Sequence, residues 1–430
     1  MMKTKAVRLY GTKDLRLEEF ELPAPKEDEI LARVVSDSLC MSSYKATMQG
    51  TAHKRIPADA AQNPVIIGHE FCGELVEVGA KWSSRYKAGD KFVIQPALNY
   101  KGSLDAPGYS YRFVGGDATY VVMPNEVMEM NCLLPYGGDA WYMGSLAEPL
   151  SCVIGACHAS YHTTPGSYEH VMGIRPGGKA AVLAGLGPMG LAMVDYLIHC
   201  DRQPSLLAVT DIDGYRLARA AEILDFDYAR RRGMEVKLIN TARTEASERE
   251  LRSLAPEGFD DVFVFAPVAA VIEQGDRLLA RDGCLNFFAG PADSSFSAKI
   301  NFYNVHYNAA HLTGTSGGNI DDMLEAVDMI GRGLLNPSIL VTHIGGLDAV
   351  IGTTLNLPHI PGGKKLIYTH ISLPLTAIAD FAEAGRNDPL FARLAEITGQ
   401  TKGLWNPEAE EYLLANAASI DTAYGSGKGG

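Results

Sequence analysis

The chain has 430 residues, more than one hydrophobic core usually accommodates, and its 47% apolar content is enough for two. Lys and Arg number 38 against 51 Asp and Glu, a net charge of -13, which argues against broad binding to nucleic acid or to an anionic membrane surface. An anionic substrate would therefore need a local basic pocket.

The opening MMKTKAVRLY interleaves charges with apolar residues and lacks the apolar stretch and small-residue cleavage site of a secretion signal. It reads as a strand. From Lys3 to about Val127, short apolar runs (KAVRLY, EILARVV, KFVIQ, ATYVVMP) separated by Pro- and Gly-containing turns predict a β-rich domain over 1–163. The apolar run from Ala180 to Val194 is broken by Gly and Pro, and the run from Pro149 to Tyr168 is too polar, so neither predicts a membrane span. Seven cysteines, an odd number without regular spacing, argue against a secreted disulfide framework, so a cytoplasmic enzyme is expected.

From about Lys179 the texture changes. Apolar strands (AAVLA, LLAVT, DVFVF, CLNFF and HLTGT) alternate with helical stretches such as LAMVDYLIHC and YRLARAAEIL, predicting an α/β, doubly wound parallel sheet over 164–317. Over 318–430 the pattern gives an amphipathic helix in NIDDMLEAVDMIGRGLL and a strand in KKLIY that returns to the first domain. Beyond Ser372, helices are predicted in LTAIADFAEAG and AEEYLLANAA, before an end, YGSGKGG, read as flexible.

Gly185, Leu186, Gly187, Pro188, Met189 and Gly190 follow the strand AAVLA and open a helix, the context a dinucleotide-binding G-x-G-x-x-G requires. Gly185 allows the turn, Gly187 a close approach of the pyrophosphate to the backbone, and Gly190 tight helix–strand packing; the helix N-terminus faces the negative charge. The next strand ends at Asp211, placed to bind an adenosine ribose and to repel a 2′-phosphate. NAD is thus expected over NADP. Asp213, Arg216 and Arg219 stand nearby, however, and a plain helix-capping role for Asp211 is the alternative.

In the first domain, Cys40 precedes Gly68-His69-Glu70-Phe71-Cys72-Gly73 and Gly79, and Glu148 lies in SLAEPLSC. Thiolate, imidazole and carboxylate suit zinc, and a catalytic site needs three protein ligands and an open position. Cys40, His69 and Glu70 are the candidate ligands, with Glu148 a fourth, exchangeable one. Singly, each has a duller reading as a core residue or surface acid.

The spacing G-H-E-x-x-G-x-x-x-x-x-G from Gly68 to Gly79, with Trp82 in place of a usual valine, resembles the zinc-containing alcohol dehydrogenase signature. Cys40, Gly89-Asp90, Glu148-Pro149, Gly185 to Gly190 and Gly362-Gly363-Lys364 follow in the order of the medium-chain dehydrogenase/reductase family, from Lys3 to about Thr369. The resemblance implies a GroES-like catalytic domain, a Rossmann coenzyme domain, and membership of the branch acting on sorbitol and polyol phosphates, in which carboxylates join the metal shell. It implies a homodimer or homotetramer and a small polyol or sugar-phosphate substrate.

Three departures stand out. Ser43 replaces the aspartate that commonly supports a ligand histidine, so another acceptor is needed. Residues 91–131 hold no cysteine, which predicts one catalytic zinc and no structural zinc. The tail beyond Ser372 is longer than in most relatives.

The family mechanism has zinc polarise a carbonyl or acidify a hydroxyl, with Ser42 at the position of a proton-relaying hydroxyl; a turn-forming serine is the alternative. Ser42, Glu70 and Glu148 are the candidate catalytic groups. For a phosphate, Lys45, with His53, Lys54 and Arg55, follows the Cys40 turn, and Arg112 lies in YSYRF. Other readings are a zinc dehydrogenase of unphosphorylated polyols, galactitol 1-phosphate or an amino alcohol; a zinc-independent quinone or enone reductase; and a non-catalytic dinucleotide-binding redox sensor.

Overall fold

The computed structural model describes residues 2–242, 244–291 and 293–421; the closing YGSGKGG lies outside the described residues. The chain divides into two compact units, 1–148 with 341–430, and 149–340. The sequence texture had placed these boundaries at 163/164 and 317/318. The contact division after Glu148 falls inside the helix Ala147–Ala159, which runs across it without a change in composition. The helix Ile320–Gly331, beyond 317/318, packs within 149–340, where Glu325 accepts a hydrogen bond from Tyr196 at 2.8 Å.

The first unit is β-rich. The strand Lys3–Gly11 pairs antiparallel with Asp14–Glu21 and with Val65–Ile66. A larger sheet is built around the strand Ile30–Leu39, almost wholly buried, with Phe71–Val78 along one edge and Tyr120–Met123 and Lys364–Tyr368 along the other, all antiparallel. Pairing of Leu39 with Lys365 brings the KKLIY strand, from near the far end of the chain, beside the exit to Cys40. A core of Val7, Leu9, Val65, Ile67, Leu347, Val350, Ile367 and Ile420 joins remote stretches of sequence. Each such side chain contributes roughly 1.5–3 kcal/mol by leaving water.

The tail is part of this unit. LTAIADFAEAG, expected to be helical, instead gives the strand Thr376–Ala377 against Val341–Gly346, a 3-10 turn and the short helix Phe381–Ala384. Pairing of Thr376 with Ile344 outweighs local helical preference there. The helix Pro389–Gly399 was not anticipated, although Asp388 caps it and Pro389 opens it. AEEYLLANAA forms the expected helix, as Pro407–Asn416, capped by Asn406.

In the second unit the strands Lys179–Leu183, Leu206–Asp211, Glu235–Asn240, Phe259–Val264, Leu279–Phe287 and His311–Thr313 form a wholly parallel sheet in the spatial order 3-2-1-4-5-6. That is the doubly wound order of dinucleotide-binding folds. The third strand, EVKLIN, escaped the sequence reading because it is an edge strand with charges among its apolar residues. Among the described residues no helix is long and apolar enough to cross a membrane.

Candidate active site

The strand Ile30–Leu39 ends at Cys40, which is the extended N-cap of the helix Met41–Gln49. Opposite it, Gly68 turns the chain at φ +92, and a Cβ there would meet the Asp117 backbone N and Asp37 Oδ2 at 2.6 Å. Only glycine fits, and the turn delivers the buried His69 and Glu70 toward Cys40. Ligand atoms of Cys40, His69 and Glu70 all lie within 4.8 Å of one another.

Ser43 Oγ lies 3.1 Å from His69 Nδ1, so the residue that replaces the usual aspartate is itself the hydrogen-bond partner of that ring nitrogen. The other nitrogen, Nε2, is 3.2 Å from the hydroxyl of the buried Tyr109. Burial lowers His69 to about 4, so the imidazole is neutral, as a metal ligand must be. Burial, reinforced by Glu70, pushes the Cys40 thiol up to about 12. A cation among these groups would reverse that shift, and the donor set fits zinc in kind and number.

Glu70 has a protein partner as well. Both its oxygens lie 2.6 Å from Lys364 Nζ, its carboxylate accepts from Ser38 Oγ, and its backbone N–H donates to Asp37 Oδ1 at 3.0 Å. Burial opposes both charges, but each outweighs that for the other: Glu70 is lowered and Lys364 raised. Behind the turn, Asp37 and Asp117 flank Gly68, both fully buried. Burial raises both, Asp117 to about 8, and Asp117 further raises Asp37, so the pair retains a proton at neutral pH. Glu148, in the first turn of Ala147–Ala159, is buried and close enough to raise Cys40 and Tyr109.

Ser42 Oγ is 3.0 Å from Cys40 Sγ and near enough to the Tyr109 hydroxyl to lower its pKa against the larger upward push of burial. The Arg55 guanidinium stands over the Tyr109 ring, 5.2 Å from its centroid, with Nε buried and unpartnered. Arg112 is not brought to this cluster; it stacks on Phe113 beside Arg8 and lines a shallow depression with Lys26. Lys45 is half-buried on the helix Met41–Gln49, and Lys54 is exposed.

In the second unit, Gly187 caps the helix Pro188–His199, with Pro188 and Met189 in its first turn. A Cβ on Gly190 would meet Gly185 O at 2.2 Å, whereas one on Gly187 would meet nothing within 4 Å, leaving room for a ligand against the backbone. Asp211 accepts the Leu186 N–H at 3.1 Å and the Asp213 N–H at 2.9 Å, tying the glycine loop to the strand that follows it. The helix-capping role once open for Asp211 belongs to Asp213, which accepts from Tyr215 and Arg216. Arg216 lies 4.0 Å from Asp211 and 3.7 Å from Asp213, and Ile212 and Tyr215 are exposed beside them.

Residues 26–131 match the family model of the alcohol dehydrogenase GroES-like domain. The chain is 51% identical to L-sorbose 1-phosphate reductase of Klebsiella pneumoniae over 98% of its own length and 99% of that protein. It belongs to the zinc-dependent medium-chain dehydrogenase/reductase family. Mannitol-1-phosphate 5-dehydrogenase of Aliivibrio fischeri is 48% identical over 96% of this chain and 98% of that one. The fold is shared with 2R,3R-butanediol dehydrogenase of Bacillus subtilis at a TM-score of 0.68 and 22% identity, over 85% of this chain and 99% of that one. The chain is thus an oxidoreductase acting on CH–OH groups.

In this medium-chain dehydrogenase, the sequence reading named Cys40, His69 and Glu70, which the fold brings together, but not Lys364 or Tyr109 as members of the site. A doubled lysine inside the apolar strand KKLIY was the available signal for Lys364. Tyr109 lies in the YSYRF segment, which had been singled out only for Arg112.

Proposed function

We propose that this dehydrogenase reduces L-sorbose 1-phosphate to D-glucitol 6-phosphate with NADH, using one zinc per chain and no structural zinc. The observation that carries the phosphate is Arg55. Among the described residues no carboxylate pairs with its guanidinium, which rests on the ring of Tyr109, whose hydroxyl touches His69. A planar cation one ring away from the ligand cluster suits a phosphate ester on a substrate whose carbonyl lies at that cluster.

Cys40, His69 and Glu70 would hold the zinc, with Glu148 as an exchangeable fourth ligand. A zinc ion held there would supply Lewis acidity to the substrate oxygen, and NADH the hydride. Ser42, beside Cys40, and Tyr109, beside His69, carry the hydroxyls placed to pass a proton to that oxygen, and Ser43 holds the His69 ring. Gly185, Gly187, Pro188, Met189 and Gly190 receive the pyrophosphate, and Asp211, with Arg216 beside it, receives the ribose and disfavours NADPH.

Arg55→Ala should lose kcat/KM on L-sorbose 1-phosphate selectively over free L-sorbose, by roughly 1.5–3 kcal/mol. Equal losses on both would place the phosphate anchor elsewhere, with Lys45 and Arg112 tested in the same way. The relative acting on mannitol 1-phosphate supports a second reading, and higher kcat/KM on D-mannitol 1-phosphate than on D-glucitol 6-phosphate would select it. Cys40→Ala should abolish turnover while NADH binding persists, because the ligand cluster and the glycine loop belong to different units.

Homo-oligomerisation, as a dimer or tetramer, is part of this proposal. The strand His311–Thr313 is a sheet edge, and the helix Phe302–Tyr307 exposes Phe302, Tyr303 and Tyr307. Sedimentation at micromolar concentration tests it: a monomer would refute it. A cytoplasmic setting accords with seven cysteines held as thiols.

A further inference from the structure

We infer that Glu410, in the C-terminal extension, is a positioning residue of the metal site, acting through residues 141–148 on Glu148. The inference rests on the reading of Glu148 as an exchangeable ligand.

Glu410 is buried, yet its carboxylate is fully engaged. Oε2 accepts the Trp141 N–H at 2.6 Å; Oε1 accepts the Tyr142 N–H at 2.8 Å and the Tyr368 hydroxyl at 2.7 Å. Trp405 Nε1–H donates in turn to the Tyr368 oxygen at 2.8 Å. An apolar side chain would fill the same space and hold the tail in place. A buried carboxylate with three directional donors does more, because it fixes the position and orientation of the two peptide groups that open the helix Trp141–Ser145.

The rest of the segment transmits that position. Ser36 Oγ donates to Trp141 O at 3.0 Å, and a Cβ on Gly144 would meet Cys72 Sγ at 2.4 Å, so the middle of the segment is pressed against the strand that follows Glu70. The Leu146 N–H donates to Tyr142 O at 3.1 Å, leaving almost no slack before the helix that begins at Ala147 and carries Glu148 in its first turn. A shift at Trp141 has few places to be absorbed short of Glu148. Glu148 in turn faces Cys40, Tyr109 and Lys364 closely enough to raise all three. The extension thereby becomes part of the scaffold of the site.

The test measures zinc affinity of the full chain by chelator competition, the visible spectrum of the cobalt-substituted enzyme, and Tm. Glu410→Gln and Glu410→Ala should loosen zinc on the order of tenfold and alter the cobalt spectrum. Leu413→Ala, which removes a buried side chain from the same helix, should lower Tm and leave both metal readouts unchanged. In a Glu148→Gln background, the Glu410 substitutions should have no further effect on zinc affinity. Fully additive losses, or Glu410 variants indistinguishable from Leu413→Ala in both metal readouts, would overturn the inference. If Glu148→Gln alone leaves affinity and spectrum unchanged, the ligand reading of Glu148 fails, and the inference with it.

Discussion

Lys364 Nζ lies 2.6 Å from both carboxylate oxygens of Glu70, a buried ion pair whose partners are 294 residues apart in sequence. The lysine and a metal ion thus compete for one carboxylate. Removing one member of a buried pair costs about 3–5 kcal/mol, because the other charge is left uncompensated. Lys364→Met should show that loss in denaturant unfolding of zinc-free protein, and a smaller one when zinc is supplied. An equal loss in both conditions would argue against Glu70 as a ligand.

Ser43 Oγ is the hydrogen-bond partner of His69 Nδ1 at 3.1 Å. Ser43→Ala should leave the fold intact and weaken zinc binding by roughly 10- to 100-fold, read by chelator competition. Unaltered affinity would mean that the ring is oriented by its packing against Tyr109.

Asp211 serves both the glycine loop and the proposed ribose contact. Asp211→Ala should reduce the preference for NADH over NADPH, measured as a ratio of kcat/KM, by roughly 1.5–3 kcal/mol. If the ratio does not move, Asp213 or Arg216 sets it.

His158 Nδ1 lies 2.7 Å from Asp322 and its Nε2 3.2 Å from Glu325, and these hydrogen bonds raise it from 6.5 to about 9. Because the folded value is the higher one, the stabilisation is fully present below pH 6.5 and is lost as the pH rises through about 9. The side chain is 43% exposed, and screening holds the effect to about 1 kcal/mol or less. His158→Asn should flatten the stability profile of the wild type across that window; an unchanged slope would assign the titration elsewhere.

Gly190 shows how much of the coenzyme site was legible in the sequence. Its motif reading demanded close helix–strand packing, and a Cβ there would meet Gly185 O at 2.2 Å. At Gly68 the backbone likewise admits only glycine, but the sequence reading gave that residue as part of the signature and assigned it no turn. Lys364 and Tyr109 were not legible in that way, because their roles depend on strand pairing and packing between distant segments. A lysine in KKLIY reads as a solvent-facing charge until pairing with Ile30–Leu39 buries it. The helix Pro389–Gly399 was a missed opportunity, since Asp388 and Pro389 spell a helix start. The parallel, doubly wound class followed from the alternation of strands and helices, but the third strand, a charged edge, and with it the full strand order, did not.

The division into a contiguous unit, 149–340, and one assembled from both chain ends has a consequence for synthesis. On the ribosome, the parallel sheet can close while the strand Lys364–Tyr368 has yet to be made. Until that strand emerges, Ile30–Leu39 lacks a neighbour and Glu70 lacks its cation. At roughly 5–20 residues per second, the interval between Glu148 and Tyr368 is on the order of ten to forty seconds. Throughout it the nascent N-terminal segment presents an unsatisfied strand edge, the state in which a holdase or a misdirected strand would find it. The order of maturation is therefore the reverse of the order of translation: the middle of the polypeptide is finished before its beginning.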